Sequence, residues 1–358
     1  MVMIPHFGLK RQYQNLKKEL LDATHNVLSS GELVGGHYTR AFEEWLKYRT
    51  KAKYAVTCHS GTQALEIIAR YTLSNHKEIY NVDGASIRIP NLTYPATLNA
   101  FLTTGWEVEL VDVDRNGLMK LPQSQFDDGV FNCFVGLYGA KPPQLWGGQP
   151  EAYFDIVDGA QHWLVADGDI GEGMAISFDP TKNLPSSGNG GAIVTDSISL
   201  YKYALSYRDN GKPAQFVEAG SNSKMSEQDC AQILVRTRYI DEWQARRERI
   251  ARHWCGEFRD LPVRCLTDPF EKHSHQKFVM YLPDRNSLHT LLLTSGIDSK
   301  IHYPYTLGEH QMSSELEKPD MLSTSTMLSR GVLSLPIYPE LTDSEVEFIT
   351  YAVKGYFV

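Results

Sequence analysis

The sequence predicts an α/β fold: a large unit with a mostly parallel central sheet flanked by helices, then a smaller C-terminal α+β unit. Short apolar, strand-like runs alternate with amphipathic stretches as far as residue 195, which is the grammar of a parallel sheet with helical crossovers. Two of these runs end on polar residues (Asp158, Ser177), as expected where strand ends face a ligand crevice. At 358 residues and 42% hydrophobic content, the chain is long enough for two cores, with the boundary expected near residue 240, between units 1–240 and 241–358.

The elements follow in order. Leu16, Leu20, Ala23 and Val27 recur at helical spacing within 11–29, and Gly31 marks the stop. A second helix over 37–49 carries Phe42, Trp45 and Leu46 on one side and leads to the strand Tyr54–Cys58. Ser60-Gly61-Thr62 then opens a helix whose apolar face is Ala64, Leu65, Ile68 and Ala69. Ser60 is either a plain helix cap or part of a phosphate-receiving N-terminus. Further strands are expected at Ile87–Ile89, Glu107–Val111, Phe131–Val135, Tyr153–Val157, Met174–Phe178 and Ala192–Val194. Lys141–Pro150 holds too many Pro and Gly residues for a regular helix. A long charged helix is expected from Ser226 to about Glu257, with the boundary inside it, then a strand at Lys277–Tyr281 and a last helix from Thr342.

The formal charge of −8 provides no basic field for nucleic acid. Cys58, Cys133, Cys230, Cys255 and Cys265 are scattered, with no Cys-x-x-Cys pair, which points to neither a disulfide framework nor a zinc knuckle and suits a reducing cytoplasm. Neither an export signal nor a membrane span is expected. His273 and His275 lack a companion cluster, so no metal site is assigned.

Lys182, in Ser177-Phe-Asp-Pro-Thr-Lys182, and Asp158, in Val-Asp158-Gly-Ala-Gln161, together suggest a pyridoxal phosphate site. A lysine amine becomes chemically useful near neutrality when condensed with an aldehyde cofactor, and an aspartate opposite the pyridine nitrogen keeps that ring an electron sink. Gly188-Asn-Gly-Gly191 is no dinucleotide fingerprint, because it enters a strand and opens no helix. Arg246–Arg249 alternates with acid and suits a solvated helix face.

Over nearly its whole length the chain resembles the DegT/DnrJ/EryC1/StrS sugar aminotransferases, within the fold type I pyridoxal phosphate enzymes. The resemblance rests on Ser30–Gly35, Ser60–Leu65, Pro90–Thr97, Val111–Asp114, Leu137–Gly139, Asp158–Gln161, Ser177–Lys182, Asn222, His302–Pro304 and Leu333–Pro336. It implies that Lys182 forms the Schiff base with pyridoxal 5'-phosphate and that Asp158 pairs with the pyridine nitrogen, with pyridoxamine phosphate as the alternate cofactor form. It also implies that Tyr94 covers the ring, Gln161 bonds the ring oxygen, and Gly61, Thr62 and Ser177 form the phosphate cup. Asn222 would reach the phosphate of a neighbouring subunit, making a homodimer with shared active sites. His302, Tyr303, Tyr305 and His310 lie in a segment that relatives bring towards substrate; a packed turn at Pro304 is the alternative. The implied reaction moves an amino group from L-glutamate to a keto sugar, a nucleotide-linked 3- or 4-keto-6-deoxyhexose, for amino-sugar biosynthesis. Alternatives are a keto-cyclitol aminotransferase, a dehydratase (disfavoured because those carry histidine at the lysine position) and a non-catalytic sensor. This chain departs from the family pattern at Ser221 and Lys224, where Tyr and Arg are usual, and at Gly136, where His is common.

Overall fold

The computed structural model describes residues 3–80, 85–120, 129–141, 145–146, 149–150, 155–212, 219–267, 272–316 and 322–358. It opens with α1 (Leu9–Ser30), which ends on Gly31 in the left-handed conformation, and α2 (His37–Thr50). Next come β1 (Tyr54–Cys58), α3 (Gly61–Tyr80), β2 (Ser86–Pro90), α4 (Pro95–Leu102), β3 (Glu107–Val111) and β4 (Val130–Val135). A two-residue pair, β5 (Leu145–Trp146) with β6 (Gln149–Pro150), is the regular structure described in the Pro/Gly-rich stretch. β7 (Ile156–Asp158), β8 (Gly173–Ser177), β9 (Gly191–Thr195) and α5 (Ile198–Tyr207) follow. Tyr153 and Phe154, expected to begin the β7 strand, lie outside the described residues.

Seven strands form one sheet in the order β1-β9-β8-β7-β4-β2-β3, and only β9 runs against its neighbours. Both faces are covered. Along β8, Met174 and Ile176 join a core with Leu16, Leu20, Phe42 and Leu46, whereas Ala175 joins a second core with Leu65, Ile68, Leu98 and Phe101. Strand pleating sends alternate residues to opposite faces, so α1 and α2 cover one face and α3 and α4 the other. The carboxyl ends of β1, β2, β4, β7 and β8 consequently open on one edge.

The expected long charged helix is two helices, α6 (Glu227–Thr237) and α7 (Ile240–Glu257), separated by a turn at Arg238 and Tyr239. α6 packs on α1 and α2, whereas α7 meets the C-terminal elements; a single straight helix could not serve both. Those elements are β10 (Arg264–Cys265), β11 (Phe278–Tyr281), α8 (Arg285–Thr294), α9 (Ser323–Gly331), β12 (Val332–Leu335) and α10 (Asp343–Gly355), with β10-β11-β12 an antiparallel sheet. Trp254, Phe258, Phe278, Leu288, Leu335 and Ile349 fill their core. Leu92, Val113, Leu137 and Tyr138 pack with Leu266, Val279, Leu328 and Val332, joining the two sheets beneath the strand edge. No described helix is long and apolar enough to cross a membrane.

Candidate active site

A cleft of about 450 Å³ lies at that edge, lined by Ser60, Gly61, Thr62, Tyr94, Asp158, Gln161, Ser177, Lys182, Lys277, His302 and Tyr303 among others. Each strand end supplies a piece. After β1, the Ser60 side chain accepts from Gln63 N at 3.1 Å and caps α3, while the Gly61 and Thr62 amides have no partner within the chain among the described residues. A Cβ on Gly61 would lie 2.7 Å from Ser177 Cβ, so the glycine lets the helix N-terminus approach the end of β8. Bare amides and a serine hydroxyl at a helix start suit a phosphate.

Asp158, the last residue of β7, is buried and accepts from Thr97 Oγ1 at 2.8 Å and from Ala160 N at 3.1 Å. Desolvation raises its pKa above the usual aspartate value; the Ala160 amide, the Thr97 hydroxyl and the Lys182 charge oppose that rise. A buried carboxylate with so few donors is suited to a cationic N–H. Lys182 sits in the loop after β8, enclosed by protein with one side open to the cleft. Burial lowers its pKa, against the pull of Asp158 and Asp179. A desolvated amine gives up its proton readily and is the nucleophilic form.

Gln161 Oε1 accepts from Tyr138 N at 2.5 Å and its Nε2 donates to Tyr303 Oη at 3.2 Å, so the amide is fixed at the rim. Tyr94 precedes Pro95 at the start of α4, is 58% exposed, and lies 5.9 Å from the Tyr303 ring. His302 Nδ1 meets Ser334 Oγ at 2.9 Å. Tyr305 and His310 contact each other edge to face at 6.3 Å and are not among the cleft-lining residues. Exposed Asn222, bridged to Asp209, is also away from this chain's cleft.

Two of the departures from the family pattern, Lys224 and Gly136, have a local setting in the fold. Lys224 pairs with Asp209, which lowers the aspartate's pKa. A Cβ at Gly136 would fall 2.0 Å from Nδ1 of His162, a buried ring that fills the space a larger residue would need. One cleft residue, Lys277, and one that supports the cleft from behind, Thr97, were given no role by the sequence reading. Thr97 entered only as the end of the Pro90–Thr97 stretch that carries the resemblance, and Lys277 as the first residue of a strand.

The profile of the DegT/DnrJ/EryC1/StrS aminotransferase family matches residues 14–124 and 161–354. The chain is 27% identical to "dTDP-3-amino-3,6-dideoxy-alpha-D-galactopyranose transaminase" of Aneurinibacillus thermoaerophilus, covering 99% of both chains. It is 26% identical to "Erythromycin biosynthesis sensory transduction protein EryC1" of Saccharopolyspora erythraea, covering 98% of this chain and 99% of the relative. Among solved structures, NtdA from Bacillus subtilis with bound cofactor PMP superposes with a TM-score of 0.85 at 21% identity, over 100% of this chain and 86% of that one.

Proposed function

The chain belongs to the DegT/DnrJ/EryC1/StrS aminotransferase family, and we propose that it transfers an amino group from L-glutamate to a nucleotide-linked 3- or 4-keto-6-deoxyhexose. It is a sugar aminotransferase that uses pyridoxal phosphate. The observation that carries the site assignment is that Lys182 and buried Asp158 line one cleft beside the bare amides of Gly61 and Thr62.

Lys182 would hold the cofactor aldehyde, Asp158 the pyridine nitrogen, Gly61, Thr62 and Ser177 the phosphate, with Tyr94 and Gln161 at the ring. When bound, the cofactor supplies an electron-accepting ring for the carbon that loses its proton. Lys182 Nζ takes that proton from the donor's α carbon and later returns one to the sugar carbon being aminated. Asp158 would stay ionised against the ring N–H, and Thr97 holds its carboxylate in register. Gln161, fixed by Tyr138 and Tyr303, orients the ring edge.

We place the enzyme in the cytoplasm as a homodimer in which Asn222 serves the partner's cleft. In support, Asn222 is exposed away from its own cleft, and Leu28, Leu33 and Val34 are more than half exposed. One relative is named as a sensory transduction protein, which makes a non-catalytic role the rival reading. Lys182→Ala decides between them, with purified protein, L-glutamate and a panel of nucleotide-linked keto sugars assayed by mass spectrometry. The wild type should be yellow, bleach with borohydride and form an amino sugar. The variant should lose turnover by at least about 10⁴-fold, the upper range for a general acid–base group, yet still bind pyridoxamine phosphate. Unchanged turnover in the variant, or a wild type that takes up no colour, would refute the assignment.

A further inference from the structure

We infer that Lys277 binds the carboxylate attached to the reacting carbon of the amino donor, as a carboxylate subsite beside Lys182. The inference rests on the aminotransferase reading above and adds a residue that neither motif nor resemblance assigns.

Lys277 immediately precedes β11, and its backbone N–H donates to Tyr138 O at 3.1 Å, fixing it beneath the cleft. Its side chain is 5% exposed and reaches the cleft wall. The Nζ donates to Gln276 Oε1 at 2.8 Å, while Gln276 Nε2 donates to Thr181 O at 2.8 Å. The glutamine amide is thus oriented by the Lys182 loop, and its neutral oxygen is the hydrogen-bond partner the lysine has. Among the described residues no carboxylate forms an ion pair with Lys277. Asp179, the carboxylate that acts on it through space, is already bonded to the Thr181 amide and hydroxyl. Burial, then Lys182 and Arg247, push the Lys277 pKa well below its ordinary value.

A buried amine without a counter-ion is costly, and a cationic form needs an anion delivered to it. Arg247 is not among the cleft-lining residues, and its Nη1 bonds the carbonyls of His275 and Ile337. Neighbouring His302 and His6 are held neutral, chiefly by burial. Lys182 and Lys277 are therefore the two lysines of the cleft lining, with no arginine among the described residues there, and Lys182 is committed to the cofactor. The geometry also selects the anion. An amino donor's α-carboxylate is one bond from the carbon whose proton Lys182 moves, so it must lie within reach of a group adjacent to Lys182. The diphosphate of a sugar nucleotide hangs from a carbon other than the one that is aminated.

The test uses cofactor-loaded protein and its Lys277→Met and Lys277→Gln variants. Thermal midpoints are read with glutarate, which has the donor's carboxylates but no amine, and separately with a nucleoside diphosphate. Glutarate should raise the wild-type midpoint and leave both variants unmoved, whereas the nucleotide shift should be equal in all three. In absorbance titrations, the L-glutamate concentration that half-bleaches the cofactor band should rise about 10- to 100-fold in the variants, the worth of a charge-assisted hydrogen bond. Coloured variants that respond to glutarate and L-glutamate as the wild type does would overturn the carboxylate anchor alone. Loss of only the nucleotide shift, or loss of the cofactor itself, would overturn it in favour of a phosphate contact. A wild type that takes up no cofactor would instead overturn the aminotransferase reading.

Discussion

Glu227 and Asp158 are both buried carboxylates, 1% and 7% exposed, but the chain treats them differently. Glu227 begins α6 and reaches across to the N-terminus of α2, accepting from Gly36 N at 2.9 Å, Tyr38 N at 2.8 Å and Thr39 N at 2.8 Å, and also from the Thr39 hydroxyl. Its charge is answered by the free amides of a helix start, a purely structural arrangement. Among the described residues, Asp158 has only the Thr97 hydroxyl and the Ala160 amide, and desolvation dominates its titration. A buried charge satisfied within the chain holds helices together. One left short of partners at a sheet edge is set up for a ligand, at a cost in stability.

The strongest way to break this contrast is Asp158→Asn, which keeps the shape and a Thr97 contact but removes the charge. Turnover should fall at least about a hundredfold, the usual cost of losing an electrostatic stabiliser at the reacting centre. The cofactor-free protein should melt higher. The folded chain holds the Asp158 proton more tightly than the unfolded chain, so its ionisation above the ordinary aspartate pKa works against folding, and an amide carries no such cost. A lower calorimetric midpoint, or full activity, would show that Asp158 is a structural carboxylate like Glu227.

Glu227→Gln tests the other half. With donors crowding a side chain that has lost an acceptor oxygen and its charge, urea unfolding should show a loss of about 2–3 kcal/mol. kcat per folded molecule should be unchanged. A stability equal to wild type would remove the distinction from the structural side.

A smaller effect sharpens the comparison at an exposed edge. Arg11 of α1 grips Glu345 of α10 at 2.5 Å, and this hydrogen bond is the main cause holding the Glu345 pKa at about 2. A depressed carboxylate pKa contributes stability above the ordinary glutamate value, lost as the pH falls from about 4.5 towards about 2. Both partners are partly exposed, so Arg11→Met should cost only about 1 kcal/mol at pH 6, shrinking towards nothing near pH 2 in denaturant midpoints. A pH-independent loss would point to packing on Tyr338, which the guanidinium also covers at 5.7 Å.

The strands Tyr54–Cys58 and Glu107–Val111 were legible to the residue, because apolar runs bounded by breakers leave little choice of end. The split between α6 and α7 was not, since Thr237-Arg238-Tyr239 contains no glycine or proline. That turn is imposed by two partners, α1 and the C-terminal core, which the sequence brings together only after folding. Gly136 looked like a missing histidine, but His162, twenty-six positions away, fills that space in the fold.

The sequence by itself determined the alternation of strand and helix, and the lysine and aspartate whose side-chain chemistry suits an aldehyde cofactor and its ring nitrogen. Tertiary structure alone decided that Asp158 would be buried against Thr97, that Lys277 would lie beside Lys182, and that Glu227 would close on α2. Desolvation and hydrogen-bond partners are set by segments far apart in the chain, and these, not residue type, fix whether a buried charge is satisfied or left open for a ligand.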